Sequence, residues 1–138
     1  TENLYGIAGF AKALELAMSN YEKDSSYILS LKTYMKEQLS RHIKGVYFNG
    51  DYDGKCLYTV LSAAFTKTEK SEMILFNLDM SGICVSGGSA CSSGADQGSH
   101  VIRAINNNPN LVTVRFSFSK HNTKEEVDTV VGKLKELI

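Results

Sequence analysis

The segment LVTVRFSFSKHNTKEEVDTVVGKLKELI, residues 111–138, constrains the fold more than any other part of the chain. Its opening residues alternate strictly: Val112, Val114, Phe116 and Phe118 fall on one side of an extended strand, Thr113, Arg115 and Ser117 on the other. The period then changes. Thr123 and Glu126 have the spacing of a capping box, and Val127, Val130, Val131, Leu134 and Leu137 recur at helical spacing, so a helix starts here and buries one stripe. A strand with one apolar face, followed at once by a helix with one apolar stripe, requires helices layered on a sheet.

The rest of the chain supplies partners for that unit. Ile7, Phe10, Ala11, Leu14 and Ala17 predict a helix over residues 5–18. A second helix is predicted over 20–42, with Ile28, Leu31, Met35 and Leu39 as its stripe and Lys23, Lys32, Lys36 and Glu37 off it. Gly45 suits the helix exit, VYF a short strand, and residues 49–54 a turn. CLYTVLSAAF, residues 56–65, is a continuous apolar run expected as a buried strand. TEKSEMILFNLDMSG reads as helical with Gly82 at its exit, ICVS as a short strand and SHVIRAI as a short helix. The expectation is one α+β domain over residues 1–138: a small, largely antiparallel sheet of three to four strands with helices packed on one face.

Charge and composition narrow the function. Fifteen basic and fifteen acidic side chains cancel, which gives no electrostatic reason to expect nucleic acid or an anionic membrane surface as partner. No apolar run approaches the roughly 20 residues that span a bilayer. The N-terminal segment lacks the basic region of a signal peptide. Cys56, Cys84 and Cys91 form neither a zinc spacing nor an even disulfide framework, so reduced thiols in the cytoplasm are expected. The chain opens on TENLYGIAG without methionine, and is expected to be a piece of something longer.

Two residues stand out chemically. Cys91 lies in GGSACSSGADQGSH, residues 87–100, a run with almost nothing apolar to bury a thiol. A polar loop rich in backbone N–H groups can expose a thiolate and stabilise it, yet an idle surface thiol fits the composition equally well. Arg115, mid-strand on the polar side, suits bidentate capture of a carboxylate, although a merely solvated arginine is the commoner case. Asp96 could tune Cys91 but reads as solvated. His42, His100 and His121 read as structural or solvated, and Cys56 and Cys84 as small core residues.

VSGGSACSSGADQGSHVIRAI resembles the active-site loop of the cysteine desulfurases in the class V aminotransferase group of pyridoxal-phosphate enzymes. It is similar to the subgroup with a long cysteine loop. VTVRFSFSKHNTKEEVD resembles the family's Arg-Phe-Ser strand and capped helix, and TENLYGIAGFAKALELA the passage from large to small domain. The resemblance implies that residues 1–138 form the C-terminal small domain of such an enzyme. It implies that Cys91 takes sulfur from L-cysteine as a persulfide, leaving alanine, and passes it to sulfur-acceptor or scaffold proteins. Arg115 would bind the substrate carboxylate, and Thr1 would match a segment reaching the cofactor phosphate of the partner subunit in a homodimer. Gly87 replaces a serine usual in the subgroup, which should loosen the loop. The lysine that carries pyridoxal 5'-phosphate in the family has no counterpart here, so this chain alone is expected to be inactive.

Other readings remain open at this level. A selenocysteine lyase or another class V relative would share the fold, and a preference for selenocysteine would distinguish it. A free-standing persulfide carrier would be a natural protein of this length. A purely structural domain would have a Cys91 no more reactive than Cys56 or Cys84.

Overall fold

Helix α1 runs unbroken over Leu4–His42, where the spacing predicts two helices. The residues expected to separate them do not interrupt the backbone. Ser19 Oγ and Asn20 Nδ2 donate to the helix's own Leu16 carbonyl at 3.1 and 2.8 Å. Such side chains can satisfy themselves on a preceding turn without ending the helix. Asn3 caps the start by accepting from Gly6 N at 3.0 Å, and Arg41 and His42 place cationic side chains in the last turn. The computed structural model describes residues 1–51, 54–88, 99–106 and 108–138, leaving aside the side chain of Glu72.

After α1 come β1 (Tyr47–Phe48), β2 (Val60–Thr66), a short 3₁₀ turn (Lys70–Met73), α2 (Ile74–Met80), α3 (His100–Ile105), β3 (Leu111–Ser117) and α4 (Lys124–Leu137). The sheet has the order β1-β2-β3 and is antiparallel throughout. This is the expected α+β architecture with three strands. ICVS contributes a single antiparallel bridge, Ser86 to Arg115, instead of a strand. The apolar run at 56–65 enters the sheet only at Val60: β3 ends at Ser117, so the residues before Thr59 have no strand to pair with.

Register sorts the two faces. Leu61 opposes Phe116, Ala63 opposes Val114 and Phe65 opposes Val112, which gathers the apolar side chains on one face. Against them pack Ile28, Leu31, Met35 and Leu39 of α1, Ile74 and Leu78 of α2, and Val127, Val131 and Leu134 of α4. Tyr34 OH donates to Asp128 Oδ1 and Tyr27 OH to the Asn122 carbonyl, both at 2.8 Å, which ties α1 to the α4 end of the chain. Only the second half of α1 takes part in the core. Its first half leaves Leu4, Ile7, Phe10 and Leu14 exposed, Phe10 to 72%.

The capping box at α4 forms as the spacing predicts. Thr123 Oγ1 accepts from Glu126 N at 3.3 Å and Thr123 N donates to Glu126 Oε2 at 3.0 Å. Donation from Asn122 Nδ2, then from the Thr123 backbone, holds the Glu126 carboxyl below its ordinary value. A carboxyl depressed on folding contributes stability above its unfolded pKa of about 4.3, and the contribution disappears as pH falls through the folded value. Glu126→Gln keeps an oxygen acceptor but cannot titrate. Its acid-unfolding curve, followed by far-UV circular dichroism, is therefore expected to be shallower than that of the parent below about pH 4. Superimposable curves would contradict this account.

Candidate functional site

The polar face of the sheet holds the candidate site, and strand pairing builds it. Arg115 is exposed on β3 and sits between Ser62 of β2 and Ser86 of the segment after α2. Residues paired across strands share a face, so Ser62, Arg115 and Ser86 form one row across the sheet. Arg115 N donates to the Ser86 carbonyl at 2.7 Å, and Ser86 N donates to the Arg115 carbonyl at 3.1 Å. On the other side, Asn49 N donates to the Ser62 carbonyl at 2.9 Å and Asn49 Nδ2 to Ser62 Oγ at 3.2 Å. The arginine backbone is thereby fixed while its guanidinium projects from a rigid platform. No carboxylate pairs with Arg115 among the described residues. A guanidinium in that state, flanked by hydroxyl-bearing neighbours, can receive a carboxylate bidentately.

The root of the cysteine-bearing stretch enters this row directly. Ser86 lies five positions before Cys91. Cys91 and Asp96 themselves fall outside the described residues. Beyond Ser86 the backbone passes close to α2. A Cβ built on Gly87 would lie 2.6 Å from Leu75 Cδ1 and 3.3 Å from the Thr113 carbonyl oxygen. Glycine at 87 therefore permits a close approach of α2 to the sheet edge; the loop that it was expected to loosen lies outside the described residues. Gly88 follows with φ of 74°, a left-handed conformation that suits glycine.

The other sequence candidates separate from this row. Thr1 is exposed just ahead of α1, and Leu4 lies about 36 Å along the helix axis from Ile28, where α1 enters the core. His42 ends α1, His100 begins α3 and His121 occupies a turn. Cys56 and Cys84, expected as core residues, are both exposed. Cys56 precedes β2 instead of opening it, and Cys84 lies between the half-buried Ile83 and Val85 on a segment that makes one bridge only. Lys32, placed off the α1 stripe by the sequence reading, is buried to 4% exposure.

A cavity of about 370 Å³ is lined by Met35, Cys84, Val85, Phe116, Glu126 and Val127, among others, and by none of the row's residues. Its lining contains an acid and neither lysine nor arginine. A phosphorylated ring such as pyridoxal 5'-phosphate does not fit it: the phosphate would meet a carboxylate and find no cation. Lys32, the buried lysine, has its Nζ occupied by Cys56 Sγ and the Leu57 carbonyl. This cavity therefore does not make a site for that cofactor. Among the described residues no cluster of three metal-ligating side chains occurs, and no helix is long and apolar enough to cross a membrane.

Comparison with known proteins bears on the family and the fold. Residues 1–130 match the family described as aminotransferase class-V. A cysteine desulfurase IscS of Dictyoglomus turgidum is 36% identical over 100% of this chain and 35% of its own length. A cysteine desulfurase NifS of Azotobacter vinelandii is 33% identical over 100% of this chain and 34% of its own. Among solved structures, a NifS-like protein superposes with a TM-score of 0.74 at 25% identity, over 99% of this chain and 34% of that one. A NifS-like protein from Rickettsia africae, at 23% identity and a TM-score of 0.72, shares the fold. The chain thus spans about a third of the length of these relatives. On a match that covers all but its last eight residues, the chain belongs to the class-V aminotransferase family.

Proposed function

We propose that residues 1–138 are the small domain of a cysteine desulfurase, working within a longer cytoplasmic protein that binds pyridoxal 5'-phosphate through residues outside this chain. The observation that carries this reading is the backbone pair between Ser86 and Arg115. It joins the root of the cysteine-bearing stretch to the residue best suited to hold a substrate carboxylate. Five residues of chain reach at most about 18 Å, which bounds how far Cys91 can lie from Ser86, the neighbour of that arginine. In this reading the guanidinium of Arg115 orients L-cysteine by its carboxylate. The Cys91 thiolate accepts the substrate sulfur as a persulfide, and alanine remains. The persulfide then passes to a sulfur-acceptor or scaffold protein. The cofactor, when bound, supplies the electronic activation of the substrate. The exposed apolar side chains of Ile7, Phe10 and Leu14 suit a surface that the rest of a longer chain, or its homodimer, would cover.

The test uses the longer protein that contains this domain. After one turnover with L-cysteine, alkylation and peptide mass spectrometry are expected to find the persulfide on Cys91, with one alanine released per persulfide. Alanine formation with the persulfide on another cysteine, or with none, would overturn the assignment. A strong preference for selenocysteine would redirect it to a lyase.

A further inference from the structure

Lys32 is the buried charged side chain of the described core, at 4% exposure, and the proposed chemistry leaves it unused. Its Nζ lies 3.0 Å from Cys56 Sγ and 2.9 Å from the Leu57 carbonyl oxygen. No carboxylate pairs with it among the described residues. Burying an ammonium on a carbonyl and a sulfur alone is costly, and a structural role would be met as well by an apolar side chain of the same length. The opposite member of the pair is accessible: Cys56 is exposed, outside any disulfide, on the segment that leads into β2. An amine held in the protein at contact distance from a solvent-facing thiol is a preassembled site for a nitrogen–sulfur bond.

We propose that Lys32 and Cys56 are a covalent modification site, closed by peroxide into a reversible lysine–cysteine sulfenamide that ties the β2 approach to α1. In the first step the Cys56 sulfur attacks hydrogen peroxide. The S–O bond forms, the O–O bond breaks, and water leaves, so sulfur is oxidised by two electrons and the peroxide reduced by two. In the second step Lys32 Nζ, having released one proton, attacks that sulfur. The N–S bond forms and the S–O bond breaks, and the departing hydroxide leaves as water with a second proton from the nitrogen, giving the neutral sulfenamide. Amine capture of a sulfenic acid has its precedent in the condensation of sulfenic acids with backbone nitrogen. Proximity supplies the selectivity, because contact distance turns a bimolecular condensation into an intramolecular one.

The experiment treats the longer protein that contains this domain with hydrogen peroxide, stops the reaction, and maps peptides by mass spectrometry. A cross-linked peptide pair containing residues 32 and 56, lighter by two hydrogens than the sum of its parts, is expected. It should disappear on reduction with dithiothreitol. Lys32→Met and Cys56→Ser should each abolish it. Lys32→Arg, which keeps the cation but not the amine, should abolish it too. Folding of each variant is checked by circular dichroism, and the unmodified chain gives its own answer whichever variants fold. Oxidation of Cys56 to sulfinic or sulfonic acid without the cross-link, or its capture only as a disulfide, would overturn the proposal. So would an unchanged yield in Lys32→Met. None of these outcomes depends on the activity proposed for Cys91.

Discussion

Replacing Arg115 by alanine in the longer protein is expected to lower kcat/KM for L-cysteine by roughly a hundredfold to a thousandfold, a loss of about 3–4 kcal/mol. The magnitude follows from the proposed role. A bidentate guanidinium–carboxylate pair is charge-assisted, and truncating one member leaves a desolvated carboxylate without its partner. The fold should tolerate the change, because Arg115 is exposed and the core face of β3 is built from Val112, Val114 and Phe116. Arg115→Lys should recover only part of the loss, since an ammonium offers a point charge and not a planar fork. Steady-state assays of alanine release, with circular dichroism as the folding control, decide the matter. A change smaller than about threefold, well under 1 kcal/mol, would remove Arg115 from the substrate site.

The largest stability effect is expected at Phe65. Its side chain is wholly buried on β2, opposite Val112, in the cluster shared by α1, α2 and α4. Phe65→Ala should cost about 3–5 kcal/mol, because it removes the transfer free energy of the ring and leaves a void that rigid strands cannot close. Against a total of about 5–15 kcal/mol for an ordinary domain, that is a large share. The denaturant midpoint should fall with the slope unchanged. Phe10→Ala is the internal control: the same deletion at a side chain 72% exposed should change stability by less than about 0.5 kcal/mol. A cost below about 1 kcal/mol at Phe65 would mean that the cluster is not packed as described.

Where the sequence pattern and the three-dimensional arrangement diverge, the cause can be named. The alternation of Val112, Val114 and Phe116, and the capping box of Thr123 and Glu126, were legible because both are local and both formed. The apolar spacing predicts two helices because it lapses near position 19, whereas Ser19 and Asn20 bond back to their own helix and leave the backbone continuous. The start of β2 depended on where β3 ends, which is information held elsewhere in the chain. Lys32 was recoverable. Positions 28, 32, 35 and 39 share one helical face, so its spacing placed it on the buried stripe, and only its charge argued against it. For the candidate site, a strand pattern could place Arg115 on the polar side. It could not reveal that Ser86 is its neighbour, because a bridge of one residue pair leaves no periodic trace. Nor could it show that Gly87 accommodates Leu75, a contact between segments twelve positions apart.

The Ser86–Arg115 pair has a mechanical consequence. Sheets flex, and in the proposed enzyme the group that grips the substrate and the base of the cysteine-bearing stretch must keep their relative position. Had that stretch begun on a separate helix or a distant turn, every breathing motion of the domain would shift its base relative to Arg115. Two reciprocal backbone hydrogen bonds, at 2.7 and 3.1 Å, give both groups a common datum. When β3 tilts, Arg115 and Ser86 tilt as one body, so the base of the cysteine-bearing stretch travels with the residue it serves.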